Sequence, residues 1–259
     1  GYTHEAGVRE LERETAAVCR KAAMDIGSGK ARVRVGKQKL AAYLGAPKYT
    51  HGAIDAINEI GLANGLAWTS FGGETLQIEV QIVPGSGQVI LTGKLGDVMQ
   101  ESAKAALTFI KAHAEEFGIT LPLDKKDIHL HVPEGAVPKD GPSAGITIMT
   151  AMLSALSGIP ARADTAMTGE ITLRGRVLEI GGLREKLLAA YRAGIKRVLI
   201  PKANEKDLSD VPDEVKANME IIGVASAFDV IPLALEHTPQ KTADAFIPQH
   251  AHSGAAAAQ

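Results

Sequence analysis

The sequence predicts an α+β or mixed α/β fold, in which strands and helices alternate irregularly along the chain. Three observations lead to it. Residues 76–83 alternate apolar and polar side chains as a half-buried strand does, and residues 96–117 repeat apolar side chains at helical spacing. After about residue 126, short strands and helices follow one another. With 259 residues, 45% of them hydrophobic, the chain can form one or two domains with a substantial core.

A small, mainly helical unit is predicted over residues 1–64. Apolar side chains recur at three- and four-residue steps over residues 4–24, which predicts an amphipathic helix. Residues 32–35 alternate like a short strand, and residues 37–44 are typical of a short helix. The turn-rich residues 47–64 are interpreted as a linker. The chain starts without a methionine, and we expect it to be part of a longer protein.

The second unit is predicted over residues 65–237. Residues 76–83 and 88–93 are expected to form a hairpin around the turn at residues 84–87. The elements that follow are a helix at 96–117, a strand at 128–132, a helix from Ser143 to about 156, strands at 166–173 and 176–179, a helix at 183–193, strands at 197–200 and 219–224, and a helix at 225–235. Residues 238–259 are polar and alanine-rich, and we expect a disordered tail.

Composition excludes several classes of function. The net charge of −2 and the pI near 6.5 provide no broad attraction to nucleic acid or to an anionic membrane. The single Cys19 excludes an intramolecular disulfide and a multi-cysteine zinc site, and it favours a reducing compartment. The longest apolar run, behind Ser143, is too short to span a bilayer, and the N-terminus lacks the pattern of a signal peptide.

Residues 133–145, PEGAVPKDGPSAG, are the stretch with the clearest chemical signal. Prolines and glycines exclude a regular element before Ser143, and an apolar helix is predicted behind it. A helix N-terminus presents free backbone N–H groups and a positive dipole end, which favour developing negative charge. The loop alone leaves two interpretations open. Ser143 either caps the helix, as serine commonly does, or is a nucleophile beside an oxyanion site.

Other catalytic motifs are absent or incomplete. None of the three Gly-Lys pairs has the surroundings of a phosphate-binding loop, so nucleotide hydrolysis by this chain alone is not expected. His129 and His131 share a predicted strand face, but with only Glu134 nearby they are a weak metal signal, and no metal is predicted. Residues 141–145 fit G-x-S-x-G, yet the downstream histidines lie at His237 or beyond it, which argues against a Ser-His-Asp triad.

Lysine is the remaining common base, and Lys186 is the best candidate. On a helix from Leu183, a turn of about 100° per residue places Lys186 between Leu183, Ala190 and Ala193, inside an apolar arc. Burial there would lower its pKa toward the neutral amine that a general base requires. In the other interpretation, which is more common for lysine, the stem packs and the ammonium reaches water.

Two segments carry a family resemblance. PKDGPSAG at residues 138–145 and AMTGEITLRGRVLEIGGLREKLLAAYRAGIKRVLIP at residues 166–201 closely resemble the proteolytic domain of Lon, the ATP-dependent serine protease, in its bacterial A-type form. The resemblance runs from residue 1 to about residue 237. It implies a Lon-type proteolytic domain over residues 65–237, preceded over residues 1–64 by the C-terminal part of the small ATPase subdomain and a linker.

The resemblance implies that Ser143 is the nucleophile and Lys186 its dyad partner. Thr168 is expected near the lysine amine, where it would orient it, and Asp140 would help to shape the loop. The backbone N–H groups of Ser143 and Ala144 are expected to hold the oxyanion.

The resemblance also bears on cofactors. Arg9, in GYTHEAGVR, falls on the sensor-2 arginine, which addresses nucleotide in the full enzyme. The phosphate-binding loop and the large ATPase subdomain are absent from this chain. No cofactor is therefore expected for the chain itself, and ATP with Mg²⁺ is expected only for the full-length protein.

The expected function is that of a Lon-type serine endopeptidase acting on unfolded or misfolded polypeptides, coupled in the full-length protein to ATP-driven unfolding. The resemblance implies a homo-oligomer, a ring of six subunits, that serves cytoplasmic protein quality control without a membrane. One alternative is a non-catalytic Lon-like scaffold or regulatory domain. Another is a nucleic-acid-binding module, but the near-neutral charge argues against it, and DNA binding by this chain is not expected.

Overall fold

The computed structural model describes residues 1–3, 5, 7–49, 57–133 and 139–240. Its α-helices are α1 (Arg9–Gly27), α2 (Lys37–Leu44), α3 (Asp97–Ala112), α4 (Gly145–Ser157), α5 (Leu183–Arg192), α6 (Asp213–Asn218) and α7 (Ala227–Ala234). Its strands are β1 (Leu62–Thr69), β2 (Gly72–Pro84), β3 (Val89–Thr92), β4 (Lys126–His131), β5 (Thr165–Met167), β6 (Glu170–Ile171), β7 (Val177–Leu178), β8 (Arg197–Pro201) and β9 (Glu220–Val224). Short 3₁₀ segments lie at Leu123–Lys125, Pro142–Ala144 and Lys202–Asp210. The predicted mixed α/β class is confirmed.

A seven-stranded mixed sheet organises the larger part of the chain, in the order β3-β4-β2-β1-β5-β8-β9, and β6 and β7 form a separate ribbon. Both faces of its central strands are covered. Met167 and Leu199 face a core built with α3, α4 and α7, whereas Ala166 and Val198 face a second core built with α5 and α6. Successive side chains of a strand point to opposite faces, so neighbours in sequence enter different cores. Helices α4 and α5 therefore lie on opposite faces of one sheet.

The hairpin predicted from residues 76–83 and 88–93 is wrong. β4 lies between β2 and β3, antiparallel to β2 and parallel to β3. The loop at residues 85–88 crosses the start of β4, where Asp127 Oδ1 accepts hydrogen bonds of 2.8 Å from the N–H groups of Ser86 and Gln88. The alternation of side chains located both strands but did not reveal that another strand separates them. The hairpin in this sheet joins β1 to β2 instead.

Other predicted bounds also differ. Residues 32–35 form no strand in the structure, because they lie exposed without a partner strand. Residues 202–218, left unassigned by periodicity, contain a 3₁₀ segment and α6. The domain boundary predicted after residue 64 falls inside β1. Of the predicted tail, residues 241–259 lie outside the described part of the chain.

The first two helices form a small pair that is linked by polar contacts. α1 has no buried residue, and Asp25 near its end accepts a hydrogen bond of 2.6 Å from the Tyr43 hydroxyl on α2. Lys30 and Lys39 also bind the Asp25 carboxylate, at 2.9 and 3.2 Å. The Tyr43 hydrogen bond, followed by those two lysines, holds the pKa of Asp25 far below its usual range. None of the helices in the described ranges is long and apolar enough to cross a membrane.

Candidate active site

Ser143 lies in the 3₁₀ turn Pro142–Ala144, which runs directly into α4. Its side chain is half-buried and makes no capping hydrogen bond at either helix start. The capping interpretation is therefore wrong. The N–H groups of Ser143 and Ala144 lie in the first turn of a continuous helical segment, so they have no carbonyl partner within the helix. Ser143 is thus half-exposed at the positive end of a buried helix.

Two glycines allow this turn to form. Gly141 has φ +126°, in a region of backbone conformation that other residues rarely adopt. A Cβ atom on Gly145 would lie 2.7 Å from the backbone nitrogen of Ile171, so β6 can approach the start of α4 only at a glycine. The glycines of the G-x-S-x-G match are therefore explained by local packing around Ser143.

Asp140 anchors the loop to a different helix. Its Oδ1 atom accepts a hydrogen bond of 3.0 Å from the N–H of Met99, in the first turn of α3, and one of 2.9 Å from its neighbour Gly141. The N–H of Gly96 donates to the carbonyl of Lys139 at 2.8 Å. Asp140 thus satisfies a free N–H group at the α3 N-terminus, as a capping side chain does, but it comes from a loop distant in sequence.

Lys186 is buried. Its side chain is 1% exposed, so the interpretation in which its ammonium reaches water is wrong. The Nζ atom donates a hydrogen bond of 3.0 Å to Thr168 Oγ1. Burial lowers the pKa of Lys186 to about 8. A substantial fraction of the amine is therefore neutral near pH 8, which is the state that can accept a proton.

Thr168 connects the amine to the Ser143 loop. The Thr168 hydroxyl donates a hydrogen bond of 3.3 Å to the backbone carbonyl of Ser143, and the N–H of Gly169 donates to the same oxygen at 2.8 Å. Because its single proton is used there, the Thr168 hydroxyl can only accept from Lys186. The lone pair of a neutral Lys186 amine consequently points to another partner. In the described part of the chain, no hydrogen bond joins Ser143 Oγ directly to Lys186 Nζ.

Three elements bring these side chains together. Ser143 precedes α4 on one face of the sheet, Lys186 lies on α5 on the other face, and Thr168 directly follows β5 between them. The meeting point is the carboxyl end of a central strand, where open α/β sheets commonly bind ligands. The four predicted side-chain positions Asp140, Ser143, Thr168 and Lys186 all contribute to this region.

A groove beside Ser143 was not found from the sequence. It has a volume of ≈ 130 Å³, and its lining includes the large apolar side chains of Leu66, Trp68, Leu76 and Met99. Trp68 is 55% exposed, which is unusual for so large an apolar side chain. It is the only tryptophan of the chain, and its place on a strand ahead of Gly72 and Gly73 was the one available signal.

The wall of this groove rests on the helix that carries Lys186. A Cβ atom on Gly182 would lie 2.5 Å from the Trp68 ring, and one on Gly73 would overlap the carbonyl of Glu185. Arg192, the last residue of α5, donates a hydrogen bond of 3.0 Å to the carbonyl of Gly73. The β1–β2 hairpin and α5 are therefore packed backbone against backbone.

Two family models match consecutive parts of the chain. Residues 34–237 match the family model described as the Lon protease (S16) C-terminal proteolytic domain. The chain belongs to the Lon protease family. Residues 1–35 match the Lon protease AAA+ ATPase lid domain. The two family matches meet at residues 34–35.

Several Lon proteases are similar to this chain. The Lon protease of Nitratidesulfovibrio vulgaris is 57% identical over 90% of the chain and 29% of its own length. That of Brucella suis is 52% identical over 99% of the chain and 33% of its own length. Lon protease 1 of Myxococcus xanthus is 54% identical over 90% of the chain and 29% of its own length. The chain thus spans about a third of the length of the curated relatives it matches.

The remaining sequence signals are not part of this Lon-type site. Thr92 Oγ1 lies 2.9 Å from His129 Nε2 and 2.8 Å from His131 Nδ1, so one hydroxyl is the partner of both imidazoles. Glu134, the third ligand considered, lies outside the described residues, and within them no group of three or more potential ligands could hold a metal ion. Arg9 is exposed at the first residue of α1.

Proposed function

We propose that this chain is the proteolytic part of a Lon-type serine endopeptidase, with Ser143 as nucleophile and Lys186 as general base. The buried Lys186 amine carries this proposal, because its pKa of about 8 and its hydrogen bond to Thr168 prepare it to accept a proton. Thr168 and Asp140 are proposed to position the site, and neither exchanges a proton with the substrate.

The first half of the reaction forms an ester. Neutral Lys186 accepts the proton of the Ser143 hydroxyl while Oγ bonds to the carbonyl carbon of the substrate peptide bond. The negative charge that develops on the carbonyl oxygen is stabilised by the N–H groups of Ser143 and Ala144, aided by the dipole of α4. Lys186 then gives its proton to the leaving amine, and the C–N bond breaks to leave an acyl group on Ser143.

The second half releases that acyl group. Lys186, neutral again, accepts a proton from water as the water oxygen attacks the ester carbonyl. The same N–H groups of Ser143 and Ala144 stabilise the second tetrahedral intermediate. Collapse of the intermediate breaks the bond to Ser143 Oγ, which regains its proton from Lys186. The products are an amine and a carboxylic acid, which releases its proton to solvent, and both side chains return to their starting states.

The groove supports a polypeptide substrate with an apolar side chain next to the cleaved bond. Leu66, Leu76 and Met99 offer an apolar wall, and Trp68 offers a ring face. The opening of the groove at Ser143 suits an unfolded segment, because a folded substrate would have to expose such a side chain first. We propose that the substrates are unfolded or misfolded polypeptides.

Nucleotide is proposed to act only in the longer protein. The match of residues 1–35 to the ATPase lid supports coupling to ATP hydrolysis there, and Arg9 would contribute the sensor-2 arginine. The residues present do not fit a complete nucleotide site, since Arg9 lies exposed on a helix without any buried residue. We therefore derive no step through ATP or Mg²⁺. A six-membered homo-oligomeric ring and a cytoplasmic location are likewise proposals from family membership.

Hydrolysis of an unstructured fluorogenic peptide tests the proposal. Ser143→Ala and Lys186→Met are expected to abolish cleavage, because each removes one member of the dyad. Two variants serve as matched controls: Ser157→Ala changes another serine of α4, and Lys196→Ala changes an exposed lysine beyond α5. Both are expected to cleave the peptide as fast as the unchanged chain does. Full cleavage by Ser143→Ala would reject the proposed nucleophile. A folded but inactive unchanged chain would favour the non-catalytic scaffold instead.

A further inference from the structure

An asparagine from a distant segment holds the turn that leads into the Lys186 helix. Asn204 lies in the 3₁₀ segment Lys202–Asp210, and its side chain is 2% exposed. Its Oδ1 atom accepts a hydrogen bond of 3.0 Å from the N–H of Ile180, and its Nδ2 atom donates one of 2.9 Å to the carbonyl of Ile180. One amide thus pairs both backbone groups of one residue, as a neighbouring strand would.

The clamped residue lies just before the first turn of α5. After Ile180 come Gly181 and Gly182, and Gly182 has the left-handed conformation at φ +69°. The carbonyl of Gly182 accepts the N–H of Lys186 at 3.1 Å. Only two residues and one helical turn therefore separate the clamp from the buried amine.

The clamp is itself oriented. Nδ2 of Asn204 also donates a hydrogen bond of 2.6 Å to Asp207 Oδ2, which fixes the amide plane relative to the 3₁₀ segment. Both protons of the amide nitrogen are then used, and its oxygen is used by Ile180. Such a fully satisfied buried group specifies one backbone geometry, because any shift leaves a buried polar group unpaired.

We propose that Asn204 is a positioning residue for Lys186, fixing the start of α5 so that the amine stays buried against Thr168. This inference rests on the proposed function only in that Lys186 is taken as the general base. Asn204 itself touches neither the substrate groove nor the reacting atoms, since the groove is lined by residues of β1, β2, α3 and the loop before α4.

Loss of the clamp has a defined consequence for Lys186. Without Asn204, the partly buried N–H and carbonyl of Ile180 lose their partners and draw water into the turn. Burial is the cause of the lowered Lys186 pKa, so hydration raises that pKa back toward 10.5. Burial alone causes the lowered pKa, with no contribution from the acidic side chains on elements that pack against α5, which are Glu74, Glu79, Glu205, Asp207, Asp210, Asp213 and Glu214.

NMR titration of the Lys186 side chain tests this without any catalysis. The 259-residue chain is labelled on lysine, and the signal is assigned by its loss in Lys186→Met. In Asn204→Ala, the Lys186 pKa is expected to rise by about half a unit or more. Asp207→Ala, at a half-buried position that should tolerate the change, is expected to give a smaller rise. If Asn204→Ala does not fold, an unchanged pKa in Asp207→Ala overturns the proposal.

Asn58 provides the matched control. It also pairs a backbone group, accepting the N–H of Ala163 at 2.8 Å, and it donates to Glu236 at 2.7 Å, away from α5. Asn58→Ala is expected to leave the Lys186 pKa unchanged. An equal shift in Asn58→Ala, or no shift in folded Asn204→Ala, would mean that Asn204 is merely structural.

Peptide hydrolysis adds a second readout. In Asn204→Ala, the limb of the pH–rate profile that rises with pH is expected to move to higher pH, so activity lost at pH 8 returns at higher pH. General destabilisation would lower activity at every pH without moving the limb. If Ser143→Ala and Lys186→Met both cleave normally, the proposed dyad fails, but the NMR titration still decides the role of Asn204.

Discussion

Lys186 Nζ donates a hydrogen bond of 3.0 Å to Thr168 Oγ1, and both side chains are almost fully inaccessible to solvent. A buried lysine normally has a carboxylate partner, because an unpaired buried ammonium is costly. Here the partner is a neutral hydroxyl, which does not stabilise the charge as a carboxylate would. The arrangement therefore favours the neutral amine, which is the state that the proposed general base requires.

Peptide cleavage should depend on pH through Lys186. Its pKa is lowered to about 8, so the amine is mostly neutral above pH 8 and mostly ammonium below it. We expect kcat/KM to fall about tenfold per pH unit once the pH lies well below 8. A pH–rate profile measured between pH 6 and pH 10 on the unchanged chain checks this. A profile flat from acid to neutral pH would contradict a lysine base.

Removing the Thr168 hydroxyl should impair cleavage strongly. Thr168→Val keeps the shape but removes both the acceptor for Lys186 and the donor to the Ser143 carbonyl. We expect kcat to fall by about 100-fold, since a small displacement of a catalytic group has an effect of that size. Thr168→Ser retains the hydroxyl and should recover most of the activity.

A buried threonine nearby supplies the control for Thr168. Thr147 donates a hydrogen bond of 3.2 Å to the carbonyl of Met167, whereas the hydrogen bond of the Lys186 amine goes to Thr168. Thr147→Val should change the free energy of unfolding about as much as Thr168→Val does and leave kcat within a few-fold. Equal loss of activity in both valine variants would show that Thr168 acts only through stability.

The candidate site was more predictable than the topology around it. Periodicity could mark Lys186 as a candidate, because a helix repeats its faces every 3.6 residues and a charged residue inside an apolar arc is visible in one segment, but it left the burial of the amine open. The strand β4 was predicted, but its position between β2 and β3 could not be, because pairing between distant strands leaves little trace in local periodicity. The amide clamp of Asn204 was equally hidden, since its partner Ile180 is 24 residues away and offers only backbone groups.

Asp140 should contribute to both stability and peptide cleavage through its contact with α3. Asp140→Ala removes the acceptor for Met99 N–H, and loss of a capping side chain costs about 1 kcal/mol of the free energy of unfolding. Because Asp140 also fixes Gly141 ahead of Ser143, kcat should fall by roughly tenfold. Asp140→Asn keeps the acceptor oxygen and should retain most of the stability and most of kcat. Thermal unfolding measures the stability, and peptide cleavage measures kcat.

Asp127 is the control for Asp140, because it is also a carboxylate that accepts backbone N–H groups, but at another loop. It accepts N–H groups of Ser86 and Gln88, and those hydrogen bonds hold its pKa below the usual range. Asp127→Ala should lower the free energy of unfolding about as much as Asp140→Ala and leave kcat unchanged. If Asp140→Ala loses stability but no activity, the loop does not need Asp140 to hold Ser143.

Trp68 should affect substrate preference. Trp68→Ala removes the ring face of the groove, and we expect kcat/KM to fall by roughly tenfold for peptides with a large apolar residue before the cleaved bond. Peptides with alanine there should lose much less. Phe71→Ala changes an aromatic residue of similar exposure on the same hairpin and should leave the preference unchanged. A uniform loss for both peptides would contradict a role in specificity.

Lys186→Met should stabilise the fold while it abolishes cleavage. The unfolded lysine keeps its proton up to about pH 10.5, whereas the folded one releases it near pH 8. Between these values the unfolded state binds more protons, so the free energy of unfolding of the unchanged chain rises with pH. The variant lacks this term and should be more stable by about 3 kcal/mol below pH 8, with the gain vanishing near pH 10.5. Denaturant unfolding at pH 6.5 and pH 10 measures it, and Lys196→Met controls for loss of an exposed charge. A gain that does not change with pH would mean that burial of the Lys186 charge carries no such cost.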